Sequence, residues 1–202
     1  MNLEIPAALL KEDEDSTNQR ILDSARSLYI EYGLRRTTME DVAKQAGMGR
    51  ATLYRRFSEK DHLFKAVILR DLQRHLVIIE NAIRDMNSAL DGLLEAFVQF
   101  CGLINANELL QRLLKSEPDH VLPYLTTDFE AIMMFARQYL SMQLQRGQKL
   151  GHIKASDPAI TAEMLLRLTQ SLMLSPKGVI DPASEKSLRQ FVENYLRPLL
   201  TP

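Results

Sequence analysis

Apolar residues recur at intervals of three and four along most of the chain, which is the spacing of amphipathic helices. Gly33 follows the first such stripe and predicts a left-handed end to that helix. The later segments carry the same period, and no strand is predicted. The first stripe begins after Ser16 and consists of Ile21, Leu22, Ala25, Leu28, Tyr29 and Tyr32.

Two short helices and one long helix are predicted next. Thr38 can cap the first of them with its hydroxyl, and Asp41 stands three residues later as the reciprocal partner. Gly47 ends this helix, and the following one spans about Arg50 to Arg56. Ser58 then precedes a helix whose apolar spacing continues over a length of about 40 Å.

The rest of the chain is also predicted to be helical. Asp157-Pro158 combines a cap with proline at the first helical position, which is a specific start signal. Pro118 and Pro123 predict a broken connection over residues 116–125. Altogether the pattern predicts an all-α chain of about nine helices, and the later ones cover about 89–104, 107–115, 128–149, 158–174 and 184–199.

Composition agrees with a soluble helical protein. Glycine and proline number only eight each, and 46% of the residues are hydrophobic. Cys101 is the single cysteine, so no disulfide can form within the chain, and a reducing cytoplasm is favoured. The N-terminus lacks the basic and apolar regions of a signal peptide. No apolar stretch is expected to approach the ~18 residues of a membrane span, and no membrane partner is predicted.

The net charge of −1 hides an uneven distribution. Residues 1–15 contain one lysine and five acids, and are predicted to form a mobile acidic arm. Residues 16–62 contain nine lysines and arginines against six acids, and the remaining residues contain fifteen of each sign. A surface that binds an anion such as DNA is therefore expected within 16–62.

A helix-turn-helix arrangement lies within this basic segment. Thr38–Ala46 forms the first helix, Gly47–Gly49 the turn and Arg50–Arg56 the second helix. Gly47 supplies the positive φ that such a turn needs. The outer face of the second helix carries Arg50, Thr52, Tyr54 and Arg55, side chains that reach phosphates and base edges. The alternative interpretation of the segment is a helical hairpin that only packs. For the single residues Arg35, Arg36 and Arg56, the alternative is that each is merely solvated.

Residues 17–67 resemble the DNA-binding domain of the tetracycline-repressor (TetR) family of bacterial regulators. The resemblance implies a DNA-binding domain at 16–62 and an effector-binding and dimerisation domain at 63–202. It is carried without a gap by Thr37-Thr38, Val42-Ala43, Ala46-Gly47, Thr52-Leu53-Tyr54, Phe57 and Lys60.

The resemblance also implies a role for individual residues. Thr38, Tyr54 and Lys60 would contact phosphates, the last at the N-terminus of the fourth helix. The residues of the second short helix would enter the major groove. Gly49, Ala51 and Arg55 depart from the common pattern, which bears on the operator sequence. The full DNA-binding set is Thr38, Gly49, Arg50, Ala51, Thr52, Tyr54, Arg55 and Lys60.

No comparably specific motif follows residue 67. A cavity lined by phenylalanine and methionine suits an apolar or amphipathic effector, although each of these residues is also compatible with plain core. Arg137 could balance an anionic effector or reach solvent. The candidate pocket consists of Phe97, Phe100, Cys101, Ile104, Met133, Met134 and Arg137. The candidate dimer interface, a four-helix bundle, consists of Leu165, Leu166, Thr169, Met173, Leu188, Phe191 and Tyr195.

The resemblance implies a homodimeric repressor that a small-molecule effector releases from a palindromic DNA operator, while an activator role stays open. One alternative is an effector-independent or architectural DNA-binding factor. The other is a helical enzyme, for which no dinucleotide, P-loop, esterase or zinc-protease motif is present. The histidines are scattered, so no metal site and no cofactor are predicted. They are His62, His75, His120 and His152.

Overall fold

The computed structural model describes residues 15–127 and 130–202, which form helices and connecting turns without a strand. Of the predicted acidic arm, residues 1–14 lie outside the described residues. The helices are α1 Ser16–Tyr32, α2 Met39–Gln45, α3 Arg50–Arg56, α4 Lys60–Ile83, α5 Ala89–Ala106, α6 Glu108–Ser116, α7 Pro118–Leu125, α8 Glu130–Lys149, α9 Pro158–Leu174 and α10 Glu185–Phe191, which continues through a π-helical turn Val192–Leu196 into α11 Arg197–Leu200.

The described residues fall into two compact units. Among the described residues, the N-terminal unit combines 15–77 with Asn107–Val121, and the C-terminal unit combines Ile78–Ala106 with 122–127 and 130–202. The structure therefore differs from the predicted division after residue 62. That point lies in the first turn of α4, whose next apolar residues are buried in the N-terminal unit.

Buried apolar side chains hold the helices of the N-terminal unit together. Tyr29 of α1 meets Phe64 of α4 edge to face, with ring centroids 5.8 Å apart. Leu53 of α3 is fully buried, as are Ile21 and Leu63. Because α3 has only seven residues, it depends on this burial rather than on its own helix propensity.

A polar cluster explains why α6 belongs to the N-terminal unit. Asp71 of α4 accepts hydrogen bonds from Arg26 Nε at 3.0 Å and from Asn107 Nδ2 at 3.1 Å. Asn107 also caps α6 by accepting the Leu110 N–H at 2.9 Å. Such long-range polar contacts leave no periodic signal in the sequence, so the prediction grouped α6 with the residues that follow it.

Residues 118–125 form helix α7, so the predicted broken connection is wrong. Pro118 occupies the first helical position, where the missing N–H has no intrahelical partner to lose. Pro123 removes one interior hydrogen bond, and the helix ends two residues later.

The C-terminal unit has its own apolar core, built from α5, α8, α9 and the last helix. Gly147 of α8 permits close packing, because a Cβ there would lie 2.5 Å from Ile153 Cδ1. The core contains Leu90, Leu93, Leu94, Val98, Cys101, Leu144, Ile153, Ala162, Leu165, Leu172, Leu188, Val192, Leu196 and Leu200.

Helix α5 is long and apolar enough to cross a membrane, with a mean hydropathy of 1.3 over 18 residues. The prediction that no stretch reaches this length is therefore wrong. Its apolar residues include Leu93, Leu94 and Val98, which are buried in the core of the C-terminal unit. The hydropathy of α5 is accordingly that of a helix buried among other helices.

The π-helical turn in the last helix precedes Pro198. Proline lacks the N–H that would bond four residues back, and its ring clashes with that carbonyl in a regular α-helix. A wider turn relieves this clash, and the Arg197 N–H instead donates to the Val192 carbonyl.

Candidate nucleic-acid interface

The N-terminus of α2 is organised by a reciprocal cap, as predicted. The Asp41 N–H donates to Thr38 Oγ1 at 3.1 Å. In return the Asp41 carboxylate accepts the Thr38 N–H at 2.9 Å and the Thr38 hydroxyl at 2.6 Å. These hydrogen bonds from Thr38 lower the pKa of Asp41. Thr38 is exposed, and these hydrogen bonds fix the orientation of its side chain.

The turn between α2 and α3 also has the predicted conformation. Gly47 has φ +66°, in the left-handed region. The Met48 N–H donates to the Ala43 carbonyl at 3.0 Å, which closes the turn. Arg20 of α1 donates to the Ala46 carbonyl, placing a cation at the C-terminus of α2. Sequence reasoning missed Arg20, because only the fold brings it to this helix end.

Helix α3 buries one face and exposes the other. Leu53 and Phe57 point into the core of the unit. Gly49 caps the helix without a side-chain hydrogen bond. The opposite face is exposed, with the Arg50 side chain 70% and Tyr54 43% accessible. Ala51 and Arg55 share this exposure, and Thr52 is half-buried. The predicted base-reading residues are thus presented together on one short helix.

The two arginines of this face have different surroundings. Arg50 Nη1 lies 3.4 Å from Glu40 Oε1 of α2, an exposed ion pair of the kind that contributes little to stability. Arg55 is exposed and has no ion pair among residues 15–127 and 130–202. Both guanidinium groups can bind an incoming phosphate or guanine, although Arg50 must first break its ion pair with Glu40.

Arg56 is not merely solvated, so that interpretation is wrong. Its Nη1 donates to Asp15 Oδ2 at 2.6 Å and to Asn18 Oδ1 at 2.7 Å. The Arg56 hydrogen bond is the main cause that lowers the pKa of Asp15. Asp15 also caps α1 by accepting the Thr17 N–H at 2.8 Å. Arg56 therefore ties the end of α3 to the start of α1.

Lys60 has an intramolecular role that the sequence did not predict. Its Nζ lies 3.0 Å from the Leu34 carbonyl, 3.2 Å from that of Thr37 and 3.4 Å from that of Arg35. An ammonium group has three donors, so these carbonyls can use all of them. The contact of Lys60 with DNA stays a prediction.

The predicted pocket residues of the C-terminal unit have unequal burial. Cys101 is buried, and burial raises the pKa of its thiol to about 12. Met134 is exposed. Arg137 Nη1 donates to Glu163 Oε2 at 2.7 Å, so it does not simply reach solvent, and its role toward an anionic effector stays a prediction. The half-buried members are Phe97, Phe100, Ile104 and Met133.

Two residues of the predicted dimer interface belong to the core of the chain itself. Leu165 and Leu188 are buried in the C-terminal unit, so their assignment to an interface is wrong. Tyr195 is 67% exposed, and its ring stacks on that of Phe191 at 5.7 Å. Leu166, Thr169 and Met173 are half-buried. The sequence analysis missed the exposed apolar side chains of Ile160 and Met164.

Within the described ranges, no three His, Cys, Asp or Glu side chains are grouped so that they could hold a metal ion. The absence of a metal from the protein stays a prediction.

A short helix with an exposed cationic face, held in a glycine turn and joined to a second helical unit, defines a helix-turn-helix DNA-binding regulator. Residues 21–67 match the family model described as bacterial regulatory proteins, tetR family. This match covers the helix-turn-helix unit, and it agrees with the resemblance carried by residues 17–67 of the sequence. Members of the family bind DNA and small-molecule effectors and typically dimerise.

The chain is similar to known regulators and solved structures over nearly its whole length. The HTH-type transcriptional regulator UidR of Escherichia coli is 24% identical over 193 residues, covering 95% of this chain and 97% of UidR. The structure of Salmonella enterica GusR is 26% identical, with a TM-score of 0.65 and coverage of 94% and 97%. A TetR-family regulator from Pectobacterium atrosepticum has the same fold, with a TM-score of 0.71, 18% identity and coverage of 98% and 99%.

Proposed function

We propose that this transcriptional regulator is a homodimeric repressor that acts in the bacterial cytoplasm. Each protomer places α3 in a major groove of a palindromic operator, and a small apolar or amphipathic effector releases the dimer. The observation that carries the DNA-binding part is the exposed face of Arg50, Ala51, Tyr54 and Arg55 on a helix whose other face is buried. Two such helices in one dimer read two half-sites.

The effector is proposed to bind within the C-terminal unit. Phe97, Phe100, Ile104 and Met133 are half-buried there, and Phe97 packs against the core with its ring 6.3 Å from that of Phe191. Phenylalanine and methionine side chains suit an apolar ligand, and methionine adapts to its shape. Release from DNA requires that the effector bind the DNA-free state more tightly than the DNA-bound state.

The dimer is proposed to form through exposed apolar residues near the C-terminus. Tyr195 and Leu199 are exposed on the last helix, and Ile160 and Met164 are exposed on α9, where Ile160 is 70% accessible. Burying such side chains against a second copy removes apolar surface from water. A two-fold axis would use the same residues on both protomers.

The substitution Tyr195→Asp tests the dimer and its link to DNA binding. A carboxylate in an apolar interface is strongly unfavourable, so the variant is expected to sediment as a monomer at concentrations where the wild type is a dimer. Gln145→Asp, on the exposed surface of α8, adds the same charge and is the matched control. It should leave the sedimentation coefficient unchanged.

Operator binding and repression are measured on the same variants. The Tyr195→Asp monomer is expected to lose most of its affinity for a two-half-site operator, and a reporter gene behind that operator should be derepressed. A Tyr195→Asp dimer with wild-type repression would contradict the proposed interface. A reporter that the wild-type protein activates would favour the activator role instead.

A further inference from the structure

The loop between α1 and α2, residues 33–38, is held by charged groups of opposite sign. We call it the Thr38 loop, because it ends at the residue that caps α2. The Lys60 ammonium lies within hydrogen-bond distance of the loop carbonyls of Leu34, Arg35 and Thr37. The Glu117 carboxylate accepts the Arg35 N–H at 2.8 Å. A cation therefore binds the acceptors of the loop, and an anion binds a donor.

Gly33 accommodates the carboxylate of Glu117. A Cβ on Gly33 would lie 2.0 Å from Glu117 Oε1, so a side chain at this position would displace it. Gly33 also has φ +88°, which side chains rarely adopt. The same glycine thus ends α1 and leaves room for an acid that is far away in the sequence.

Glu117 is anchored independently of the loop. It is the C-terminal cap of α6, and its N–H donates to the Leu113 carbonyl at 2.8 Å. Arg112 of the same helix donates from Nε to the Ile30 carbonyl at 3.2 Å, beside the C-terminal end of α1. At its other end α6 is tied to α4 through Asn107 and Asp71. The carboxylate therefore approaches the loop from a fixed helix.

We infer that Glu117 is a positioning residue for DNA binding, which fixes the Thr38 loop so that the Thr38 end of α2 meets a phosphate. The inference rests on the predicted phosphate contact of Thr38. Glu117 itself touches no DNA in this account. It reduces the number of conformations that the loop must lose when it binds, and preorganisation of this kind raises affinity.

The inference predicts that removal of Glu117 weakens DNA binding. Simple electrostatics predicts that it strengthens DNA binding, so the two accounts can be distinguished by experiment. Removal of an acid from a DNA-binding unit reduces repulsion from phosphates and should strengthen binding. The matched control is Glu108→Ala, an exposed acid in the first turn of the same helix. Glu117→Gln removes the charge but retains an oxygen that can accept the Arg35 N–H.

The experiment measures affinity for a random-sequence duplex as a function of salt concentration, at a temperature where circular dichroism shows every variant folded. Glu117→Ala is expected to bind about tenfold more weakly than Glu108→Ala, since hydrogen bonds to charged acceptors are worth a factor of this order. The slope of log K against log salt should equal that of Glu108→Ala, because the contact of the neutral Thr38 with a phosphate releases no counterion. Glu117→Gln should lie between Glu117→Ala and the control.

Exchange of the Arg35 amide proton with solvent reports directly on its hydrogen bond to Glu117. This exchange should accelerate in Glu117→Ala but not in Glu108→Ala. Glu117→Ala that binds as tightly as Glu108→Ala would overturn the inference. If Glu117→Ala does not fold, the comparison of Glu117→Gln with Glu108→Gln decides in the same way. Failure of the wild-type protein and of Glu108→Ala to bind the duplex would instead contradict the DNA-binding interface itself.

Discussion

The exposed residues of α3 divide into two chemical kinds. Arg50 and Arg55 carry planar donors that can grip a guanine through two hydrogen bonds. Tyr54 offers one hydroxyl, which suits a phosphate oxygen. Base contacts discriminate between sequences, whereas phosphate contacts strengthen binding to all of them. The two kinds of residue are therefore separable by substitution.

Arg50→Ala and Tyr54→Phe are expected to differ in their effect on sequence preference. Tyr54→Phe should weaken binding to operator and random DNA by the same factor. Arg50→Ala should weaken binding to the operator by ~1–3 kcal/mol more than it weakens binding to random DNA, because this is the discrimination that one bidentate base contact provides. Binding curves on both DNAs at one salt concentration measure this.

Arg84→Ala removes one positive charge from an exposed residue of the C-terminal unit and controls for net charge. Equal losses on operator and random DNA for Arg50→Ala would assign Arg50 to the phosphate backbone. Unchanged affinity in both the Arg50 and Tyr54 variants would contradict the docking of α3.

Local signals predicted the site residues that interact with near neighbours. The Thr38–Asp41 cap and the positive φ of Gly47 follow from residue type and short spacing, and both are observed. Arg20 and Arg56 were not predicted as structural residues, because their partners lie 26 and about 40 positions away. A single sequence carries no signal for such pairs before the helices are packed.

At the scale of elements, the helix-turn-helix depends on two glycines with different conformations. Gly47 has φ +66°, and a Cβ there would lie 3.1 Å from Arg20 Nη2. Gly49 has φ −73°, and a Cβ there would meet nothing within 4 Å. The same substitution at the two positions should therefore have opposite effects on stability.

Gly47→Ser is expected to lower the free energy of unfolding by about 1–2 kcal/mol, the cost of a side chain in the left-handed region. Gly49→Ser should raise it by a few tenths of a kcal/mol, since serine adds a side-chain cap to α3. Urea unfolding followed by circular dichroism measures both. Loss of stability in both variants, or in neither, would contradict the described turn.

Periodicity predicted most helices but could not assign them to units. The all-α fold and the helical bounds follow from apolar spacing and caps, with α7 as the exception. The membership of α6 in the N-terminal unit is accompanied by the part-buried hydrogen bond between Asn107 and Asp71, which no spacing in the sequence indicates. Similarly, Leu165 and Leu188 fit an interface and a core equally well by pattern, and only their burial decides.

At the scale of the whole molecule, charge and fold point to the same surface. The net charge is −1, yet residues 16–62 hold the excess of positive charge that the sequence analysis located. The exposed face of α3 lies within that segment. A regulator with one such face per protomer needs a second protomer to read an operator with two-fold symmetry.

Selection of genomic fragments bound by the purified protein tests the central claim most directly. The account predicts enrichment of one motif, an inverted repeat whose half-site centres are ~10 base pairs apart or a multiple of that distance. Arg50→Ala should degrade the motif at a fixed position in each half-site. Enrichment of a motif without two-fold symmetry, or no enrichment above bulk DNA, would contradict the account.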